Sequence, residues 1–237
     1  MAHKKPPSAY VVEIETLHST IKGMPDGKAK DKIKEELHRK LGKWEQDKIS
    51  KIVYVANNEK TPWPLFKNVG LFTQPMKTKK ETGYDQVGDY ICYVFVDDGR
   101  ENKQLGYNKC LPIVVERKTV ADFYSSIVPK DNWVRFKREI QRFKDDDRFN
   151  QMIIIVEGSL QEFLRYKPEI IHTKTGKKTF NRGHPVSPNV KRAKIAKCFV
   201  LGVPVLFAGT THQAMNVYSD LIRQTIIENY VDLLELE

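Results

Sequence analysis

Three charged residues end an apolar strand pattern abruptly: Ile113-Val114-Val115 runs into Glu116-Arg117-Lys118, and Thr119-Val120-Ala121-Asp122 follows. Charges that close a buried strand are costly unless something uses them. On an extended chain Glu116 and Lys118 share one face and Arg117 takes the other. Upstream, Gly88-Asp89 opens a second apolar run in which Asp89 shares a face with Ile91, Tyr93 and Phe95. If the two strands are neighbours, Asp89 comes to lie beside Glu116. Converging carboxylates suit Mg²⁺ or Mn²⁺, and Mg²⁺ in particular takes few protein carboxylates alongside water and phosphate oxygens. A cation there lowers the pKa of a bound water and offsets charge on a phosphate, while Lys118 can orient the water or stabilise an anionic transition state. Such a set is the minimum for phosphodiester hydrolysis. Two of these residues also have plainer readings: Asp89 after a glycine suits a turn, and Asp122 three residues after Thr119 suits a helix cap as well as an outer metal shell.

The elements that must hold these residues can be read from periodicity. Short β-branched runs at Ile52–Ala56, Val87–Val96, Leu111–Arg117, Met152–Glu157 and Val203–Phe207 predict strands. Helical spacing covers Val120–Ile127, Trp133–Lys144, Leu160–Tyr166, Val190–Leu201 and Gln213–Tyr230. The alternation predicts an α/β domain with a central sheet between helices. Residues 1–50 read as a helical extension, with Ile33, Leu37, Leu41 and Trp44 at helical spacing and a break at Gly23-Met24-Pro25-Asp26-Gly27. A helical part of the same domain fits that segment equally well. Asp97–Cys110 reads as a turn or long loop between the second and third strands.

Charge is unevenly spread. The chain has 237 residues, 40 Lys and Arg against 30 Asp and Glu, and a net charge of +10. Arg165–Lys197 alone holds ten cations and a single acid, Glu169, so it carries nearly all of the excess. Within it Lys174, Lys177, Lys178 and Arg182 sit in a stretch suited to following a phosphate backbone, with Lys191 and Arg192 beyond. Tyr166 and Phe180 could stack on unpaired bases, or pack in the core. The three cysteines show no CxxC spacing, which argues against a disulfide framework or a cysteine-rich zinc module. The longest apolar run, Tyr90–Val96, is seven residues, too short to span a membrane. These features predict an intracellular protein, nuclear in a eukaryote or nuclear virus and otherwise cytoplasmic. Thr175-Gly176-Lys177-Lys178-Thr179 lacks the first glycine and the feeding strand of a P-loop. His172, Asn181 and His184 give only a weak hint of a His-Asn-His nuclease.

Gly88-Asp89, then Glu116-Arg117-Lys118 and Asp122, resembles the GD-x(n)-ERK-x(3)-D signature of the XPF family of structure-specific DNA endonucleases. The resemblance extends from about residue 52 to 230. It includes Ile154-Ile155-Val156-Glu157-Gly158 and a basic residue at Arg135. It implies a restriction-endonuclease-like fold over 51–237, with a central mixed sheet flanked by helices and with 165–197 as a basic insertion loop. It also implies dependence on Mg²⁺ or Mn²⁺, cleavage of branched, flapped or junction-containing DNA, and pairing of nuclease domains as a homodimer or heterodimer. By position, Asp89 and Glu116 would be metal ligands, Lys118 the catalytic lysine, Arg117 a structural or phosphate-contacting residue, and Asp122 an outer acid. Glu59 takes the place of the glutamate in the family's first-strand motif. Ala56 and Asn58 depart from that motif, which has Asp and Arg there. The departures motivate an alternative, a non-catalytic DNA-binding scaffold that positions a partner nuclease. The short sequence after Tyr230 leaves no room for a helix-hairpin-helix module, so the basic segment is expected to grip DNA. The apolar stripe of the last helix, including Val217, Leu221, Ile222 and Leu233, is wide enough to suggest dimerisation.

Overall fold

The computed structural model describes residues 9–57, 59, 62–63, 71–77, 80, 86–96, 108–173, 178–182 and 186–234, with backbone alone at 96, 108, 169–173 and 178–182. Helices α1 (Ala9–Gly23) and α2 (Lys28–Lys48) lead into strand β1 (Ile49–Val55). There follow β2 (Leu71–Pro75), β3 (Tyr90–Val96), β4 (Asn108–Thr119), α3 (Val120–Ile127), α4 (Lys130–Lys144) and β5 (Gln151–Glu157). The chain continues through α5 (Leu160–Arg165), β6 (Glu169–Thr173), β7 (Lys178–Arg182), α6 (Pro188–Val200), β8 (Val205–Phe207), α7 (Thr211–Glu228) and α8 (Tyr230–Leu234).

Six strands form one mixed sheet in the order β2-β1-β3-β4-β5-β8. β1, β3 and β4 are antiparallel neighbours, and β4, β5 and β8 run parallel, the geometry that α3–α4 and α5–α6 crossovers require. The strand period of two divides the core cleanly. Val53, Cys92, Val94, Leu111, Ile113, Val115, Ile153 and Ile155 face α1, α2 and α7, with Leu41, Trp44, Tyr218 and Ile222 in the same buried cluster. Ile91, Val114, Met152, Ile154 and Val156 face the other way, onto Phe123, Phe136, Ile140 and Phe163 of α3, α4 and α5.

This division also shows where the N-terminal helices and the last long helix pack. The N-terminal helices share a buried cluster with the sheet, and a Lys51–Glu45 ion pair at 2.6 Å, both side chains buried, ties α2 to β1. The wide stripe of α7 is likewise used within the chain, because the helix packs against both the sheet and α2.

Three assignments need correction. β2 was not expected: its short run ends in a proline and lies at the sheet edge, where only one side must be apolar. The expected loop Asp97–Cys110 is shorter, since Asn108–Cys110 already pairs with β3; residues 97–107 lie outside the described residues. The basic segment is also no simple loop. β6 and β7 pair as an antiparallel hairpin, and α6 starts at Pro188 with Ser187 accepting from the Val190 amide at 3.4 Å.

Candidate active site

Asp89, Glu116 and Lys118 converge because of strand register. Tyr90 pairs with Val115, so Asp89 sits one step outside β3 against the end of β4. Its amide donates to the Val115 carbonyl (2.9 Å), and its Oδ2 accepts from the Arg117 amide (2.8 Å). Gly88 makes this approach possible: its φ is +68°, and a Cβ there would lie 2.4 Å from Val114 Cγ2. Glu116 and Lys118 point to the α3–α4 face, as alternation requires, with Lys118 Nζ donating to Glu116 Oε1 at 2.5 Å.

The electrostatics follow from burial. Asp89 is 8% exposed. Desolvation first, then the Glu116 charge, pushes its pKa up to about 7, against opposing pulls from Lys118 and the Arg117 amide. Burial works against the Lys118 ammonium, but Glu116, Asp89 and Glu139 outweigh it and hold its pKa above the ordinary lysine value.

Arg117 points to the opposite face, where it is held by Glu157 (Nε to Oε1, 2.8 Å) and Glu59 (Nη1 to Oε1, 2.8 Å). Its side chain is 12% exposed and lies 5.6 Å over the Trp63 ring. Trp63 stacks on Tyr90 (4.7 Å, 10°), its amide donates to the Tyr90 hydroxyl (2.9 Å) and its indole donates to Glu157 at 2.5 Å. Thr211, at the start of α7, donates to the other Glu157 oxygen at 3.1 Å. Burial opposes ionisation of Glu157, but Arg117, Trp63 and Thr211 outweigh it and hold its pKa below the ordinary glutamate value. Of the two roles open to Arg117, this enclosure favours the structural one. Thr119 caps α3: its Oγ1 accepts from the Asp122 amide (3.1 Å) and its hydroxyl donates to Asp122 Oδ2 (2.6 Å), so Asp122 supports the first turn.

A cavity of about 500 Å³ opens over these residues, lined by Glu59, Asp89, Glu116, Lys118 and Asp122 and by Arg135, Glu139 and Arg142 of α4. Arg135 is exposed and pairs with Glu139 at 3.1 Å. Glu139, Arg142, Glu157 and Trp63 were not singled out from sequence. Glu157 had a legible signal, since it closes an apolar strand just as Glu116 does. Trp63 had none.

Lys191 requires a correction. It is 1% exposed, and its Nζ donates to the carbonyls of Phe163 (3.2 Å), Leu164 (2.8 Å) and Tyr166 (2.7 Å), closing the C-terminal end of α5. It is unavailable to a phosphate. Arg192 is exposed, with Asn189 at 3.2 Å. Lys174, Lys177 and His184 lie outside the described residues, and for Lys178, Arg182, His172, Asn181 and Phe180 only the backbone is described. Tyr166 packs on Tyr124 (5.2 Å) beside the core.

Among the described residues no cluster of three or more His, Cys, Asp or Glu surrounds a single point. The donor set nevertheless fits a hard divalent cation completed by water and phosphate: two adjacent carboxylates, one of them buried and destabilised by its neighbour's charge.

An α/β domain with an acid-lysine cavity at the sheet end is thus defined. The ERCC4 domain profile matches residues 76–221, and the chain belongs to this family of XPF-type nuclease domains. The fold is similar to XPF from Aeropyrum pernix, at 19% identity and a TM-score of 0.44, covering 76% of this chain and 67% of that one. No curated protein sequence matches significantly. Among the described residues no helix is long and apolar enough to cross a membrane.

Proposed function

We propose that the protein is a Mg²⁺- or Mn²⁺-dependent DNA endonuclease acting on branched, flapped or junction-containing DNA. The observation that carries this reading is the convergence of Asp89, Glu116 and Lys118 on one face of β3 and β4, at a cavity open to solvent. Asp89 and Glu116 would hold the cation, which when bound would activate water and offset phosphate charge. Lys118, held by Glu116, would donate to a phosphate oxygen as negative charge builds there. Arg117, Glu157 and Trp63 brace the β4 end, with Glu59 joining Arg117 from the cavity wall, and the Arg117 amide sets the Asp89 carboxylate. Asp122 and Arg135 border the entrance.

The test is cleavage of labelled flap, fork and four-way-junction DNA with Mg²⁺ or Mn²⁺. Cutting of branched over linear DNA, abolished by Asp89→Ala and Glu116→Ala, is the expected result. Intact substrates, or variants that cut like wild type, refute it. One observation favours a second reading, a non-cleaving DNA-binding scaffold: Ala56 is buried at the end of β1 and supplies no third carboxylate. A calorimetric Mn²⁺ titration separates the two, because the scaffold requires no binding at Asp89 and Glu116.

A further inference from the structure

Helix α4 carries six cations, Lys130, Arg135, Lys137, Arg138, Arg142 and Lys144, against two acids, Asp131 and Glu139. Helical spacing sorts them into two stripes. Arg135 and Arg142, seven apart with Arg138 between, border the cavity or its rim. Lys130, Lys137 and Lys144, each seven apart, follow a neighbouring line.

On that second side lies α6, which contains no acidic residue and, with Lys191 turned inward, leaves Arg192, Lys194 and Lys197 outside the core. Lys194 reaches across to α4 and sits 4.8 Å over the Trp133 ring. Burial first, then the charges of Lys197 and Lys137, lowers its pKa. Among the described residues no ion pair engages Lys137, Lys194 or Lys197, and like charges so gathered store repulsion that a polyanion would relieve. Arg135 spends its charge partly on Glu139, whereas Lys137 and Lys197 are exposed. At 15 residues, α4 is about 22 Å long, a length over which one DNA strand passes about six phosphates.

We propose that the cationic face shared by α4 and α6, centred on Lys137, Lys194 and Lys197, is the docking surface for the phosphate backbone of a duplex arm leaving the cavity. This rests on the reading of the protein as one that acts on DNA. It moves the principal grip from the β6–β7 hairpin to a ridge adjoining the site, with α4 contributing to both.

The experiment is anisotropy of a labelled DNA duplex in EDTA, which prevents cleavage, across a salt series. The triple variant Lys137→Ala, Lys194→Ala, Lys197→Ala is expected to flatten the log-affinity against log-salt slope by about 2 to 3 and to weaken binding at least tenfold. Because Lys194 also packs on Trp133, the double variant Lys137→Gln, Lys197→Gln, at two exposed positions, is run beside it and should flatten the slope by about 2. Slopes unchanged in the double variant, or lost equally on neutralising Lys174 and Lys177 alone, overturn the proposal. Both outcomes are read without turnover, so they are independent of whether the Asp89 and Glu116 variants abolish cutting.

Discussion

Replacing Asp89 by Asn should stabilise the metal-free protein, and the size of the gain should depend on pH. Asp89 is 8% exposed, and burial with the Glu116 charge moves its pKa from an ordinary 3.8 to about 7. The folded state therefore binds this proton more tightly than the unfolded chain does. Below about pH 3 the carboxyl is neutral in both states and costs nothing; as pH rises towards about 7 the folded state is progressively destabilised, and above that the loss is constant. The full penalty is on the order of 4 kcal/mol. Asn keeps an oxygen for the Arg117 amide but carries no charge. Urea denaturation in EDTA should show Asp89→Asn nearly equal to wild type at about pH 3, ahead by about 1 to 2 kcal/mol at about pH 5 and by about 4 kcal/mol at about pH 8. Added Mn²⁺ should raise the wild type and leave the variant unmoved. Equal stabilities at pH 8, or a gap that does not shrink on acidification, would refute the reasoning, because the carboxylate would then be neither desolvated nor opposed by Glu116.

Other outcomes follow from the same geometry. Lys191→Met should cost about 2 to 4 kcal/mol in urea denaturation by stripping three carbonyls at the end of α5 of their donor, while leaving duplex affinity within twofold once stability is restored by low temperature. Glu157→Ala should destabilise by about 3 kcal/mol, since the enclosed Arg117 loses one of its two carboxylates; Glu157→Gln should recover part of this by keeping acceptors for Trp63 and Thr211. Gly88→Ala should cost about 2 to 4 kcal/mol through its positive φ and the overlap with Val114, and a thermal melt unchanged from wild type would show that the Asp89 turn is not fixed as described.

The main strands were legible because both sheet faces are buried, so each strand shows as a short continuous apolar run between polar boundaries, and the helices because each buries one face. The site was legible for the same reason: Glu116 and Lys118 follow Val114 on one face and Arg117 follows Val115 on the other, and the structure keeps that split. β2 was not legible, because an edge strand with one apolar residue facing inward has no pattern to display. Lys191 misled because a lysine in a run of cations reads as surface, and only the approach of the α5 carbonyls gives it an interior role. The Trp63 network joins residues far apart in sequence, so no local spacing announces it.

The chain contains three tryptophans, and the fold distributes them one to a region: Trp44 inside the helical layer, Trp63 behind the acid-lysine cavity, and Trp133 beneath Lys194. Each indole can thus serve as an intrinsic fluorophore for a different event. With the other two replaced by phenylalanine, Trp44 emission should follow global unfolding alone. Trp63, whose indole donates to Glu157, should shift when the β4 end is perturbed from the front, as by a cation at Asp89. Trp133 should be quenched only when a polyanion draws Lys194 away from its ring. Folding, site occupancy and backbone docking would then be followed as three separate optical signals in one unlabelled molecule.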